Sequence, residues 1–249
     1  MTQEQFTNVG AVILAAGQGK RMKSDLPKVL HQLKGKPIVD YVVRVVEGLG
    51  IKPTVVVSNT NNLVRDFLGD RVNFAVQTEQ LGTGHAVACA ESLLKDKVGH
   101  IIVLYGDHPY LTSQSVAKLI KIHLDNNDII TMMTAVVPDF EDWRMPFYNF
   151  GRIVRDSDGR IAKIVEKKDA TAEELEIKEI NPAYFCFQAD WLWKNLKNLK
   201  NNNAQQEYYL TDLVKQAIDD EQKTSSVLIN AREALGVNSQ EELQLAEAI

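Results

Sequence analysis

Three stretches of this chain carry residue types suited to phosphate and nucleotide chemistry. The first reads Val-Ile-Leu-Ala-Ala-Gly-Gln-Gly-Lys-Arg-Met from Val12 to Met22, with Leu-Pro-Lys-Val-Leu following from Leu26 to Leu30. An apolar run that gives way to small residues and to Gly17 and Gly19 predicts a buried strand emptying into a loop. Glycine puts no Cβ between the backbone amides and an anion, so such a loop can turn its N–H groups toward phosphate oxygens. Lys20, Arg21 and Lys28 add positive charge beside it. The glycines alone are equally compatible with an ordinary strand-to-helix turn. Neither common nucleotide signature is present: a P-loop needs Gly-Lys-Ser/Thr and a dinucleotide fingerprint needs a third glycine, where this chain has Lys20-Arg21-Met22.

The second stretch is Leu104-Tyr105-Gly106-Asp107, at the end of an apolar run of buried-strand type. Ligands of open α/β sheets gather at the carboxyl ends of strands, where a lone carboxylate such as Asp107 can hold Mg²⁺ against phosphate oxygens. A turn or helix-capping Asp is the plainer reading. Asp107 is expected to be a surface carboxylate in a cleft, replaceable without unfolding the chain. His108 beside it is read as a loop residue, because an attacking phosphate is already anionic and needs no general base. The third stretch contains Gln77, Glu79, Gln80, Leu81, Gly82, Thr83 and Gly84. Its glycines let the backbone press against a flat base, and the Gln77 amide, which both donates and accepts, matches the mixed imide edge of uracil. A polar helix-entry turn would look similar.

These residues need a scaffold, and the chain has the composition for one. Of 249 residues 45% are hydrophobic, enough to build a sizeable core in one large α/β domain. A net charge of −5 argues against a general nucleic-acid surface, leaving the basic cluster after the first strand as a local feature for a small anion. Cys89 and Cys186 stand far apart, as two reduced thiols of a cytoplasmic protein would, and five histidines show no zinc-type spacing. The polar first eight residues and the absence of any run of about eighteen apolar residues give no reason to expect secretion or a membrane partner.

Strand and helix alternate along the first part. Pro37 suits a first helical position, and Ile38, Val42, Val45, Val46 and Leu49 recur at helical spacing up to Gly50. Strands are expected at 54–57, 73–76, 100–105 and within 128–137, and helices at 61–68, 86–94 and from a Thr112 or Ser113 cap to about Leu124. Residues 138–150 are aromatic and Pro-containing without a period and are given no regular structure. A hairpin is expected around Ser157-Asp158-Gly159, then a strand at 181–188, a helix from Asp190 to about Leu199, a loop to Gln206, a helix at 208–221, a strand at 226–230 and a last helix from about Gln240.

The run Leu14-Ala15-Ala16-Gly17-x-Gly19-x-Arg21-Met22 with its downstream Pro27-Lys28 resembles the signature of the sugar-1-phosphate nucleotidyltransferases. Gln77-x-x-Gln80-Leu81-Gly82-Thr83-Gly84-His85-Ala86 is similar to the base-binding loop of the uridylyltransferases among them. Gly151-Arg152-Ile153, the run at 164–170, Glu179-Ile180-Asn181, the runs at 201–205 and 207–212, and Gly236-Val237-Asn238 extend the likeness over almost the whole chain. They look like the pyrophosphorylase domain of bacterial N-acetylglucosamine-1-phosphate uridylyltransferases. The resemblance implies an α/β, nucleotide-diphospho-sugar transferase (Rossmann-like) fold with a mixed central sheet and a sugar-binding lobe. Residues 1–137 would form the nucleotide-binding part of a single domain and 138–249 the sugar-binding part.

The resemblance also implies partners and roles. UTP and N-acetylglucosamine 1-phosphate would give UDP-N-acetylglucosamine and pyrophosphate, with Mg²⁺ as cofactor. Leu14, Ala15, Ala16 and Gly17 would contact nucleotide, Arg21 and Lys28 would offset phosphate charge, and Gln77, Gly82 and Thr83 would hold the uridine. Tyr105 and Asp107 would sit at the reacting centre, Gly151, Glu166 and Asn181 would face the sugar, and Asp107 with Asn238 would hold the magnesium. Glu166 supplies acceptors and Asn181 a donor, which is what hydroxyl recognition requires. Two departures fall at the sugar end: Pro182-Ala183 stands where the family usually has Thr-Gly, and the loop from Trp143 to Phe150 is longer and more aromatic. Another sugar 1-phosphate of galactosamine or glucose type, or a module that binds a nucleotide sugar without turnover, stays open beside the main reading. Bifunctional members of the family continue into hexapeptide repeats carrying acetyltransferase activity. Nothing after Asn238 offers such a repeat, so these residues are expected not to transfer acetyl groups.

Overall fold

The structure, a computed structural model, describes residues 6–60 and 62–249. The first part runs β1 (Val9–Leu14), a short hairpin of β2 (Gln32–Leu33) and β3 (Lys36–Pro37), α1 (Ile38–Glu47), β4 (Thr54–Ser58), α2 (Leu63–Leu68), β5 (Asn73–Gln77), α3 (Thr83–Ala88), α4 (Glu91–Leu94), β6 (His100–Tyr105), α5 (Ser113–Asn126) and β7 (Ile130–Val136). It continues with β8 (Gly151–Arg155), β9 (Ile161–Val165), α6 (Ala172–Leu175), β10 (Glu179–Asn181), β11 (Phe185–Gln188), α7 (Ala189–Leu196), α8 (Asp212–Asp219), β12 (Thr224–Leu228) and α9 (Gln240–Ala248).

The main sheet has the order β5-β4-β1-β6-β11-β7-β10-β8-β9, with β12 also paired to β7. Strands β5, β4, β1 and β6 are parallel to one another, whereas β11 runs antiparallel between β6 and β7, so the sheet is mixed and continuous across residue 137. Side chains alternate between two cores. Ala11, Ile13, Val55, Val57, Ile102 and Leu104 pack with α1 and α5 on one face, while Val12, Val56, Ile101 and Val103 pack with α3 and α7 on the other. Strands buried on both faces read as unbroken apolar runs, which is why β1, β4 and β6 were legible. Helix α1 buries Ile38, Val39, Val42, Val43 and Val46 completely, each such side chain contributing about 1.5–3 kcal/mol. Thr112 caps α5, its Oγ1 accepting from Ser115 N at 3.2 Å.

Several expectations are corrected. Pro37 precedes α1 instead of opening it. The helix expected at 61–68 begins at Leu63, and Asn61 lies outside the described residues. The stripe expected to start at Ala86 starts at Thr83 and is broken into two helices by a turn at Cys89 and Ala90. Residues Asp142–Asn149 form a 3₁₀ helix, wrapped around the fully buried Arg152, whose guanidinium lies 4.7 Å from the Phe140 ring and 5.5 Å from that of Tyr148. The strand expected at 181–188 is two strands: Pro182 lacks an N–H and Ala183 adopts φ +62°, so the ladder stops and the chain crosses from β10 to β11. The helix expected from Tyr208 starts only at Asp212, because the Tyr208 backbone is bonded elsewhere, to Leu81 O and Gly84 N. No helix among the described residues is long and apolar enough to cross a membrane.

Candidate active site

A cavity of about 420 Å³ opens where β1, β5 and β6 end, in the size range of small-molecule sites. Leu14, Ala15, Ala16, Gly17, Lys28, Gln77, Gly82, Thr83, Tyr105, Asp107, Gly151, Glu166, Asn181 and Asn238 all line it. Arg21 does not: it is exposed, on a 3₁₀ turn at Lys20–Met22.

The loop after β1 is held at its root. Leu14 O accepts from Gly106 N at 2.9 Å, and Ala15 N donates to Val56 O at 2.9 Å, so the Ala15 amide is committed and the part of the loop open to an anion starts beyond it. Gly19 has φ +60°, and a Cβ there would stand 2.7 Å from Lys28 Cβ, so this glycine lets the lysine close against the loop. Lys28 Nζ then donates to Asp107 Oδ2 and, at 2.8 Å, to Asn238 Oδ1. Asp107 ends the turn after β6, and Asn238 precedes α9, with Val237 N donating to Asp107 O at 2.9 Å to join the two segments. Asp107 is only 6% exposed, contrary to the expected surface carboxylate. Burial pushes its carboxyl up, but the adjacent Lys28 ammonium outweighs that and holds it below the ordinary range, hence ionised.

Where β5 ends, Gln77 Nε2 donates to Gly82 O at 3.2 Å and lies 3.1 Å from His85 Nδ1. The donor half of this amide is therefore spent, leaving Oε1 as an acceptor. An acceptor suits the N3–H of uracil or thymine and not the bare N3 of cytosine. Gly82 has φ +107°, and a Cβ there would stand 2.8 Å from the Tyr208 backbone N and O. The loop is sewn to the second half of the chain by Gly84 N to Tyr208 O, Tyr208 N to Leu81 O, both at 2.8 Å, and Leu210 N to Thr83 Oγ1 at 3.0 Å. Gln80, from the same loop, donates from Nε2 to Ala16 O at 2.8 Å.

At the far end, Gly151 opens β8 and Asn181 closes β10, paired across the sheet. Asn181 Oδ1 accepts from Ala183 N at 2.9 Å, holding the turn at Ala183 and leaving the NH₂ group as the donor half of the amide. Glu166 Oε1 accepts from Thr211 Oγ1 at 3.1 Å, and burial raises its carboxyl despite that bond. Tyr209, Thr211, Gln205, Glu207, His108 and Phe150 also line the cavity and were not among the residues given roles from sequence. For Glu207, Tyr209 and Thr211 the signal was the string at 207–212 and for Gln205 the string at 201–205, both quoted only as likeness, whereas Phe150 lies in the aromatic loop noted as a departure. His108 is no bare loop residue: it is 6% exposed, burial pushes its imidazole down, and its ring stacks 6.1 Å from that of Phe150.

Comparison with known proteins gives a consistent picture. The bifunctional protein GlmU of Acetivibrio thermocellus is 46% identical over 242 residues, covering 96% of this chain and 50% of that protein. GlmU proteins of Streptococcus pyogenes and Clostridium botulinum are 43% and 40% identical over 241 residues, again over 96% of this chain and 51% of theirs. The chain thus spans about half the length of these curated relatives. The fold is shared with a solved Bacillus anthracis protein assigned as a glucose-1-phosphate thymidylyltransferase, at a TM-score of 0.77 and 16% identity over 96% of this chain and 94% of that one. The family model described as the MobA-like NTP transferase domain matches residues 11–216, and with most of the sheet and of the cavity wall inside that match, this chain belongs to that family.

Proposed function

We propose that this chain is a uridylyltransferase that joins UTP to N-acetylglucosamine 1-phosphate, giving UDP-N-acetylglucosamine and pyrophosphate, with Mg²⁺ as cofactor. One observation carries the reading: Lys28 Nζ is held between Asp107 Oδ2 and Asn238 Oδ1, in the same cavity as the base loop and the sugar-facing Glu166 and Asn181. That ammonium is a stand-in ion. A position that a carboxylate and an amide oxygen already share around one positive charge fits a hard divalent cation, which usually takes one or two protein oxygens and completes its shell with water and phosphate. Bound there, Mg²⁺ supplies fixed positive charge to the substrates' phosphate oxygens.

The chain's own residues do the rest by positioning and by charge. Gln77 Oε1, Gly82 and Thr83 hold the base. Lys28, once exchanged from Asp107, donates to the phosphates, and the loop from Ala16 to Lys20 offers its amides to the departing pyrophosphate. The sugar phosphate is anionic at neutral pH and attacks in line, so no side chain need remove a proton. Glu166 accepts from sugar hydroxyls and Asn181 donates to the sugar. Arg21, exposed and outside the cavity, assists only if its turn folds toward the phosphates.

A second sugar of galactosamine or glucose type stays open because the Pro182-Ala183 turn, which departs from the family's usual Thr-Gly, lines the cavity beside Asn181. Pyrophosphate release measured over a grid of nucleoside triphosphates and sugar 1-phosphates decides between them. UTP with N-acetylglucosamine 1-phosphate should give the highest kcat/KM, and a higher value for another pair would overturn the assignment.

A further inference from the structure

Asp107 and Asn238 lie far apart in sequence, and a closed set of contacts brings their segments into register. Tyr184, fully buried, donates from its hydroxyl to Glu233 O at 2.7 Å. A phenol has one hydrogen and a carbonyl only accepts, so the 2.7 Å contact between Tyr184 Oη and His108 Nδ1 must be His108 Nδ1–H donating to Tyr184. The Glu233 carboxylate in turn accepts from Thr112 N at 3.1 Å, Thr112 Oγ1 at 2.7 Å and Ser115 Oγ at 2.9 Å, at the start of α5. The circuit therefore runs from His108 to Tyr184, to Glu233, and back to the segment that carries His108. The imidazole lies against Asp107 and against the backbone two residues before Asn238: Nε2 is 3.7 Å from Asp107 Oδ1, and a Cβ on Gly236 would stand 2.6 Å from the same nitrogen.

We infer that His108, Tyr184 and Glu233 form a brace that sets the spacing of Asp107 and Asn238, and so tunes the affinity of that pair for a divalent cation. The three are positioning residues. The inference rests on Asp107 and Asn238 being the metal pair. Tyr184 fixes the tilt of the ring, the ring presses on Gly236, and Gly236 is two residues from Asn238. With the hydroxyl removed, the ring is free to turn and the Asn238 segment loses the wall that holds it toward Asp107.

The test is titration of the full chain with Mn²⁺, reading free Mn²⁺ by its electron paramagnetic resonance signal with no substrate present. Tyr184→Phe keeps the buried ring and should weaken Mn²⁺ binding by about tenfold, the lower end of what outer partners of metal ligands contribute. His108→Asn retains an N–H near Nδ1 and should bind nearer to native than His108→Leu, a rescue that loss of packing alone would not produce. Asp107→Asn is the control for the metal pair. If Asp107→Asn loses Mn²⁺ while Tyr184→Phe and His108→Leu bind as native, the brace is overturned and the metal pair stands. If Asp107→Asn itself binds as native, the metal pair fails and the brace with it.

Discussion

Asp107→Asn separates the ion pair this carboxylate makes with Lys28 from the metal-holding task proposed for it. The substitution keeps shape and removes charge. The side chains of Asp107 and Lys28 are 8% and 15% exposed, so the variant leaves a mostly buried ammonium with two neutral acceptors in place of one carboxylate and one amide. Breaking one side of a buried ion pair costs about 3–5 kcal/mol, and the retained acceptor offsets part of that, so a loss of about 2–3 kcal/mol in unfolding free energy is expected. Activity should fall further than stability explains. Loss of one charged contact at a reacting centre typically costs about 10²–10³ in kcat. The assay is pyrophosphate release against Mg²⁺ concentration, beside urea unfolding of the same samples. Adding Lys28→Met removes the stranded charge and should return most of the stability while leaving the protein inactive, with a coupling of about 2 kcal/mol in the double-mutant cycle. Native-like turnover by folded Asp107→Asn would refute the metal assignment, and zero coupling would refute the ion pair.

The remaining predictions use other parts of the molecule. Gln77→Ala removes the acceptor proposed to read the base N–H and should cut the preference for UTP over CTP by roughly 1–3 kcal/mol, measured as a ratio of kcat/KM values; an unchanged ratio would place base recognition elsewhere. Ala183 has φ +62°, a left-handed conformation that costs a residue with a Cβ about 1 kcal/mol, so Ala183→Gly should raise stability by about that amount in urea unfolding. His123 is fully buried, bonded at 3.0 Å to Thr131 Oγ1 and at 3.1 Å to His100 Nδ1, and burial pushes its imidazole down to about 4. Below about pH 6.5 the unfolded chain binds a proton that the folded one does not, so stability should fall by up to about 3 kcal/mol as pH drops from 6.5 to 4 and this contribution should then level off. A flat urea midpoint across that window would show the His123 site to be open to water.

Local chemistry and periodicity were enough for much of this protein. β6 begins and ends where its apolar run does, and Thr112 caps α5 as its type and place suggest. Such features are encoded by neighbours in sequence: a strand buried on both faces is apolar throughout, and a glycine-rich exit from it is a place where amides can face an anion. The family resemblance, and not local pattern, supplied the fifteen site residues, of which fourteen line one cavity. Contacts between distant residues decided the rest. α8 starts at Asp212 because the Tyr208 backbone is already bonded to the 81–84 loop, which no pattern near Tyr208 records. Gln77 could both donate and accept by type, and only the position of Gly82 O shows that its donor is spent. Arg21 stands outside the cavity and Asp107 inside the protein, although both are charged residues in turns after strands. Burial of a charge depends on whether a distant partner arrives to offset its lost hydration, and for Asp107 that partner is Lys28, 79 positions away in sequence, which in turn bonds Asn238, 210 positions from it.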